Sequence, residues 1–370
     1  MVKDIHNAAH ISHELSIFKM MLEHLHDQFE FAEEASVDVG VLKDFFGGFN
    51  RKSNSKDINI LHLNEPNCDA ETLCHLLKFD SVHGIWNASI NCIDENKISI
   101  NGKELILTNY TNPSEINWGN GSCKIVLDCT GNFLSKNKLE NYFHKNIKKV
   151  IVSAPIDDPE VLNIVFGVNH HLYNSAKHNI VTGASCTTNC LAPIVSIIHK
   201  NFGIIKGQIT TIHNPTNTNV LLDRPHKDLR RARSTMLSMH PTSTGSAKAI
   251  GLIFPELRGK LDGHAIRVPV INSSLTDCVF QLEKNVRKSE VNDLFNQASK
   301  KEMKGILGIE FNPLVSIDFV NDTRSSIIDA PSTLITDSNL LKIYSWYDNE
   351  TGYACRMNDI ARMINNSLDV

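Results

Sequence analysis

The residues best suited to covalent chemistry are a cysteine and a histidine at opposite kinds of element boundary. Cys186 stands in Ala184-Ser185-Cys186-Thr187-Thr188-Asn189-Cys190-Leu191-Ala192-Pro193, where an apolar stretch ends and a helical pattern begins. Ile194, Val195 and Ile198 carry that pattern until Gly203 supplies a stop, so the spacing predicts Cys186 near a helix N-terminus. There the helix dipole favours the thiolate, the form of sulfur that attacks a carbonyl carbon. His213 closes the β-like run 208–212 and is followed by Asn214-Pro215, which puts an imidazole at a strand end, able to take and return a proton near neutral pH. A lone cysteine is usually a buried hydrophobe, and Cys190, a helical turn beyond Cys186, fits that description.

A second chemical cluster is cationic. Residues 227–233 hold Lys227, Arg230, Arg231 and Arg233 with one acid, Asp228, although the whole chain carries a net charge of −4. That balance gives no general attraction to nucleic acid, so the cluster needs a local purpose, either a solvated basic loop or a site for an anion. The nine cysteines are odd in number and scattered without paired CxxC units, which points to reduced thiols and to no metal site. No apolar run suits a membrane span, and residues 1–15 resemble neither a secretory nor a transit signal, so a cytoplasmic location is expected.

A chain of 370 residues is long enough for two domains. Residues 11–34 show a rough helical period, giving a helical extension over 1–36. Short apolar runs at 58–63, 125–127, 150–152 and 179–181, separated by helical stretches, predict an α/β domain with a doubly wound, parallel sheet over 37–185. Asn101-Gly102 between 97–100 and 104–107 marks an antiparallel hairpin inserted in it. The β-rich runs 208–212, 264–270 and 275–282, with a charged helix over 287–304, predict an α+β domain with a mixed sheet over 186–349. A helix over 357–368, within a closing segment 350–370, returns to the first domain.

The run 184–193 resembles the active-site motif of glyceraldehyde-3-phosphate dehydrogenases, and Thr210-Thr211-Ile212-His213 resembles the histidine strand of that family. The resemblance continues through 223–233, 242–248, 254–260, Arg267-Val268-Pro269 and Trp346-Tyr347-Asp348-Asn349-Glu350, from about residue 58 to the end. It implies a Rossmann-like NAD-binding domain and a phosphorylating aldehyde dehydrogenase, in which Cys186 attacks glyceraldehyde 3-phosphate, His213 manages the proton, and an inorganic oxyanion cleaves the thioester. It further implies a substrate-phosphate site at Thr216 and Arg267, an inorganic-anion site at Ser185, Thr244 and Arg231, with Arg230 competing for the last role, and Thr187 among the residues that bind substrate or anion. NAD would meet Glu65 at its ribose, the turn Thr130-Gly131, and Asn349 at its nicotinamide amide. Residues 223–229 resemble the S-loop that borders a neighbouring subunit's cofactor, which implies a homotetramer.

Within the family, residues 76–84, 244–247, 272–278 and 324–330 resemble a branch found with arsenic-resistance genes, in which arsenate replaces phosphate as acceptor. One segment departs from the family. Where a strand and a G-x-G-x-x-G turn are expected, residues 37–49 have two adjacent glycines, Gly47-Gly48, no correctly spaced third, and Asp44 where a pyrophosphate would lie. The first strand and turn are therefore atypical, and two alternatives stay open beside the enzyme: a non-catalytic relative acting as a binding or scaffold subunit, and an alternative beginning fused to a normal catalytic body. Arg224 would suit a 2′-phosphate, but Glu65 opposes it, so NAD is expected over NADP.

Overall fold

The computed structural model describes residues 58–216 and 219–368. The expected helical extension, the atypical turn over 37–49 and Asp44 lie outside the described residues.

In the first half, β1 (His62–Asn64) is followed by α1 (Ala70–Lys78), the short hairpin β2 (Phe79–Asp80) and β3 (Gly84–Ile85), and β4 (Ile90–Asp94), β5 (Lys97–Ile100) and β6 (Lys103–Thr108). Then come β7 (Ile125–Asp128), α2 (Lys136–Leu139), β8 (Lys149–Val152), β9 (Leu162–Asn163) and β10 (Ile180–Thr182). The hairpin at Asn101-Gly102 is present: φ is 51° at Asn101 and 78° at Gly102, the doubly positive pair that matches a two-residue turn to strand twist. The run 58–63 yields a strand only from residue 62, because β1 pairs with β6 over His62 to Asn64 alone.

Among the described residues the first half forms two larger sheets, β1-β6-β5-β4, in which only β1 and β6 run parallel, and β7-β8-β10-β9, which is parallel throughout. In a doubly wound sheet the first strand lies in the middle and joins the halves. The segment expected to carry that strand precedes residue 58.

The second half begins with α3 (Cys186–Phe202), β11 (Ile204–His213), β12 (His240–Ser243), α4 (Ser246–Ile253), β13 (Leu261–Arg267) and β14 (Ser274–Leu282). It continues with α5 (Lys288–Lys300), β15 (Leu307–Glu310), β16 (Ser326–Asp329), β17 (Leu334–Thr336), β18 (Leu340–Tyr347) and α6 (Thr351–Leu368). The sheet is mixed as expected, ordered β12-β13-β11-β14-β18-β16-β15, with β17 beside β18; β11 runs parallel to β13 and antiparallel to β14. Burial alternates along all of β14, so one face packs inward with period two. Against that face lies α3, whose Leu191, Ile194, Val195 and Ile198 share a core with Ile209, Phe280, Ile328 and Ile343. Each such side chain removed from water contributes about 2 kcal/mol.

Helix α6 starts at Thr351, six residues before the apolar period suggested. Asp348 is the reason: its Oδ1 accepts from the backbone N–H groups of Glu350 and Thr351, both at 2.9 Å, and so satisfies the helix start. Along α6, Tyr353, Met357, Ile360 and Ile364 pack on Ile151, Ile164 and Val181, returning the chain to the first half as expected.

Candidate active site

The thiol is presented by a sharp turn between β10 and α3. Cys186 is the first residue of α3, and the Ser185 side chain caps it by accepting the Thr188 N–H at 3.1 Å. Ala184, just before, is held at φ 54°, a left-handed conformation costing a residue with a Cβ ~1 kcal/mol. The turn is kept there by its neighbours: Tyr353 donates its hydroxyl to the Ala184 carbonyl at 3.0 Å, and the Asn189 amide donates to Gly183 O at 2.7 Å and Ser185 O at 2.9 Å.

His213 ends β11, opposite Arg267 at the end of its parallel neighbour β13. Its Nε2 lies 3.8 Å from Cys186 Sγ. Its Nδ1 is 2.8 Å from Asn214 O and 2.7 Å from Arg267 Nη1, which itself donates to Asn214 O at 2.9 Å. Nδ1 can serve one of these partners at a time. Donating to Asn214 O, it leaves the Nε2 lone pair facing the thiol; accepting from Arg267, it leaves a proton on Nε2 facing a thiolate. The same atoms therefore fit the imidazole before and after a tautomer change.

Burial pushes the Cys186 thiol up, against the opposing pull of Arg267 and of hydrogen bonds at Thr187. Burial, and then the Arg267 charge, hold the His213 imidazole down to about 3.

Both groups open on a cleft of about 1330 Å³. Of the anion-binding residues expected from sequence, Ser185, Thr187, Thr216, Thr244 and Arg267 line it. Thr187 turns its hydroxyl to Tyr347 Oη at 2.8 Å. Arg231 does not line the cleft, but its charge acts on Arg267, whereas the Arg230 guanidinium turns away to Pro241 O at 3.4 Å; of the two, Arg231 is the nearer. Ser246 was not singled out by sequence reasoning. As first residue of α4 it bridges the others, 3.3 Å from Ser185 Oγ and 3.2 Å from Thr244 Oγ1. The only sequence signal was its place in Thr244-Gly245-Ser246, a hydroxyl-rich helix start. Thr211 is also on the cleft wall, and its buried Oγ1 has no hydrogen-bond partner among the described residues.

The residues expected to meet NAD divide between two cavities. Asn349 lines the cleft, its Oδ1 accepting from Ser274 Oγ at 3.1 Å. Glu65 follows β1 and lines a second cavity of about 360 Å³ between β1 and β7, with Oε1 accepting the Asn67 N–H at 3.3 Å. The turn after β7 joins them, for Cys129 lines the second cavity and Gly131 the first. Thr130 braces that turn, both its N–H and its hydroxyl donating to Asp128 Oδ1 at 2.8 and 2.7 Å. An extended dinucleotide fits this layout, with a ribose acceptor at one end and an amide at the other. Among the described residues no helix is long and apolar enough to cross a membrane, and no His, Cys, Asp or Glu group is arranged to hold a metal ion.

A dinucleotide-type α/β domain set against a thiol, an imidazole and a guanidinium on a mixed sheet defines a cysteine-dependent oxidoreductase. Two family models match the chain: the NAD binding domain of glyceraldehyde 3-phosphate dehydrogenase over residues 48–136, and the C-terminal domain of the same enzyme over 185–349. Glyceraldehyde-3-phosphate dehydrogenase 3 of Nostoc sp. is 50% identical over 313 residues, covering 84% of this chain and 92% of its own. Glyceraldehyde-3-phosphate dehydrogenase 1 of Bacillus cereus is 47% identical over 313 residues, 85% of this chain and 93% of its own. The enzyme of Geobacillus stearothermophilus is 46% identical over 308 residues, 83% and 91% of the two chains. The chain belongs to the glyceraldehyde-3-phosphate dehydrogenase family and is an NAD-dependent oxidoreductase.

Proposed function

We propose that the chain oxidises glyceraldehyde 3-phosphate to an acyl phosphate through a thioester on Cys186. The observation that carries this is the 3.8 Å approach of His213 Nε2 to Cys186 Sγ inside a cleft lined by Arg267 and by the Ser185, Thr244 and Ser246 hydroxyls. Sγ adds to the aldehyde carbon as its proton passes to Nε2, which returns it to the carbonyl oxygen, giving a hemithioacetal and restoring the neutral imidazole. Bound NAD would supply the acceptor for the hydride of that carbon. His213 takes the hydroxyl proton as the thioester forms, and an inorganic oxyanion held by Ser185, Thr244, Ser246 and Arg231 then attacks the acyl carbon, releasing the Cys186 thiolate. Thr216 and Arg267 hold the substrate phosphate, for which a guanidinium and a hydroxyl are suited donors. Glu65 accepts from the adenosine ribose, the turn at Thr130 faces the middle of the cofactor, and Asn349 meets the nicotinamide amide. The cofactor domain is residues 37–185 completed by 350–370, the catalytic domain is 186–349, and the protein works in the cytoplasm. Rapid mixing of enzyme, NAD and aldehyde without acceptor is expected to give a stoichiometric burst of reduced cofactor and an acylated chain by mass; Cys186→Ala should give neither, and a burst from that variant would overturn the assignment.

The acceptor is phosphate or arsenate. They are nearly isosteric tetrahedral oxyanions, which a pocket of hydroxyls and guanidinium cannot strongly separate. The likeness of residues 76–84, 244–247, 272–278 and 324–330 to the arsenic-resistance branch favours arsenate as a working acceptor. Arsenate turnover more than about tenfold below phosphate in kcat/KM would set that reading aside.

A homotetramer is the proposed assembly. The loop that lines the cleft carries large apolar side chains in the open, with Leu222 at 78%, Leu229 at 81% and Leu237 at 85% exposure. A cluster of this kind is suited to cover by another copy. Light scattering at micromolar chain concentration is expected to give four times the chain mass; a monomer would refute it.

A further inference from the structure

We propose that His83, in the β2–β3 turn, is a positioning residue that ties the cofactor half of the molecule to the Asn349 turn and sets the affinity for NAD. The proposal rests on the reading that Asn349 meets the nicotinamide.

The turn is built to aim this side chain. Asp80 Oδ1 accepts the backbone N–H groups of Val82 and His83, both at 2.7 Å, and Gly84 follows at φ 73°, which a side chain would resist. The imidazole so presented is almost fully buried, with 3% of the side chain exposed. Its Nε2 lies 2.8 Å from Glu350 Oε2 and its Nδ1 2.7 Å from Asn321 Oδ1. A carboxylate can only accept, so Nε2 donates to Glu350, and Nδ1 completes the bracket at Asn321.

These two contacts bracket the residue on the cleft wall. Asn321 is held at φ 68° and its N–H donates to Asp348 Oδ2 at 2.7 Å, while Asn272 Nδ2 donates to the same oxygen at 3.0 Å. Asp348 is thus anchored on one side of Asn349, and Glu350, itself on the cleft wall, is anchored by His83 on the other. A residue between two fixed neighbours keeps its backbone orientation when the cofactor arrives, which lowers the ordering cost of binding.

The test is the KM for NAD measured in wild type, His83→Ala and His83→Gln, with Asn349→Ala in parallel and iodoacetamide alkylation of Cys186 as a control on the catalytic centre. His83→Ala should raise the KM for NAD about tenfold, as expected for loss of a charge-assisted hydrogen bond, with kcat and the alkylation rate close to wild type. His83→Gln, which keeps one donor, should recover part of the affinity. An unchanged KM in His83→Ala while Asn349→Ala weakens NAD would overturn the role of His83 alone. Unchanged KM in both would overturn it together with the placement of Asn349 at the nicotinamide.

Discussion

Arg267 Nη1 lies 2.7 Å from His213 Nδ1, a contact that can be a hydrogen bond only when the imidazole has no proton on that nitrogen. The competing partner of Nδ1, the Asn214 carbonyl, is 2.8 Å away and is shared with the same Nη1. Parallel register puts Arg267 opposite His213 at the ends of β11 and β13, so the contact is a consequence of sheet pairing. It gives the guanidinium two consequences for one site: charge for an anion, and pressure against a charged His213.

Removing that charge should therefore be visible in the base. Arg267→Ala takes away the second cause that holds His213 down to about 3, so the ring should protonate at higher pH, closer to its ordinary 6.5. The acid limb of the kcat/KM profile is expected to move upward, accompanied by a large rise in the KM for the aldehyde phosphate. A loss of affinity with an unmoved acid limb would show that Arg267 does not act on His213.

Ser246 joins Ser185 to Thr244 at the start of α4, and its hydroxyl belongs with the acceptor anion in the proposed chemistry. Ser246→Ala should slow deacylation of the acyl-enzyme about tenfold, the usual worth of a hydrogen bond to a charged group, while the acylation burst stays intact. A slowed burst with normal deacylation would move Ser246 to the wrong half of the reaction.

Gly183 sits where the thiol turn meets α6. A Cβ there would collide with Met357 Sδ and stand 3.2 Å from Tyr353 Oη, the hydroxyl that braces Ala184. Gly183→Ala is expected to cost about 2 kcal/mol in denaturant unfolding and to lower the alkylation rate of Cys186 as the turn shifts. Wild-type stability and reactivity together would mean that α6 yields without disturbing the turn.

Acid should weaken the fold through His62 as well as through the active site. His62 Nδ1 accepts the Gly119 N–H at 2.9 Å and Nε2 pairs with Thr108 Oγ1 at 2.8 Å, an arrangement for the neutral ring, and burial lowers its pKa from 6.5 to about 4. A folded value below the unfolded one means that the stability is fully present above 6.5 and is lost as pH falls through about 4. The urea midpoint of wild type should fall on acidification across this window, and His62→Gln should fall less steeply from a lower starting point. Parallel slopes would assign the acid sensitivity elsewhere.

What the chain alone determined was everything that depends on local order. Asn101-Gly102 made its hairpin because both residues tolerate positive φ, and the small, hydroxylated run around Cys186 opened a helix because Ser185 caps it. The alternation in 275–282 became a strand with one buried face, and the helix-start place of Cys186 and the strand-end place of His213 were readable in the sequence. Tertiary structure decided what depends on neighbours distant in sequence. Burial, which a helix-terminus argument does not contain, pushes the Cys186 thiol up. Ser246 gained its place only when α4 was set beside Ser185, and the Arg230 guanidinium reached the Pro241 carbonyl only in the folded chain. Helix α6 began early because Asp348 satisfied its first N–H groups, and His83 gained its partners 238 and 267 residues away. Local patterns are set by propensity and periodicity within a few residues, whereas desolvation and long-range hydrogen bonds exist only once the chain has been brought together.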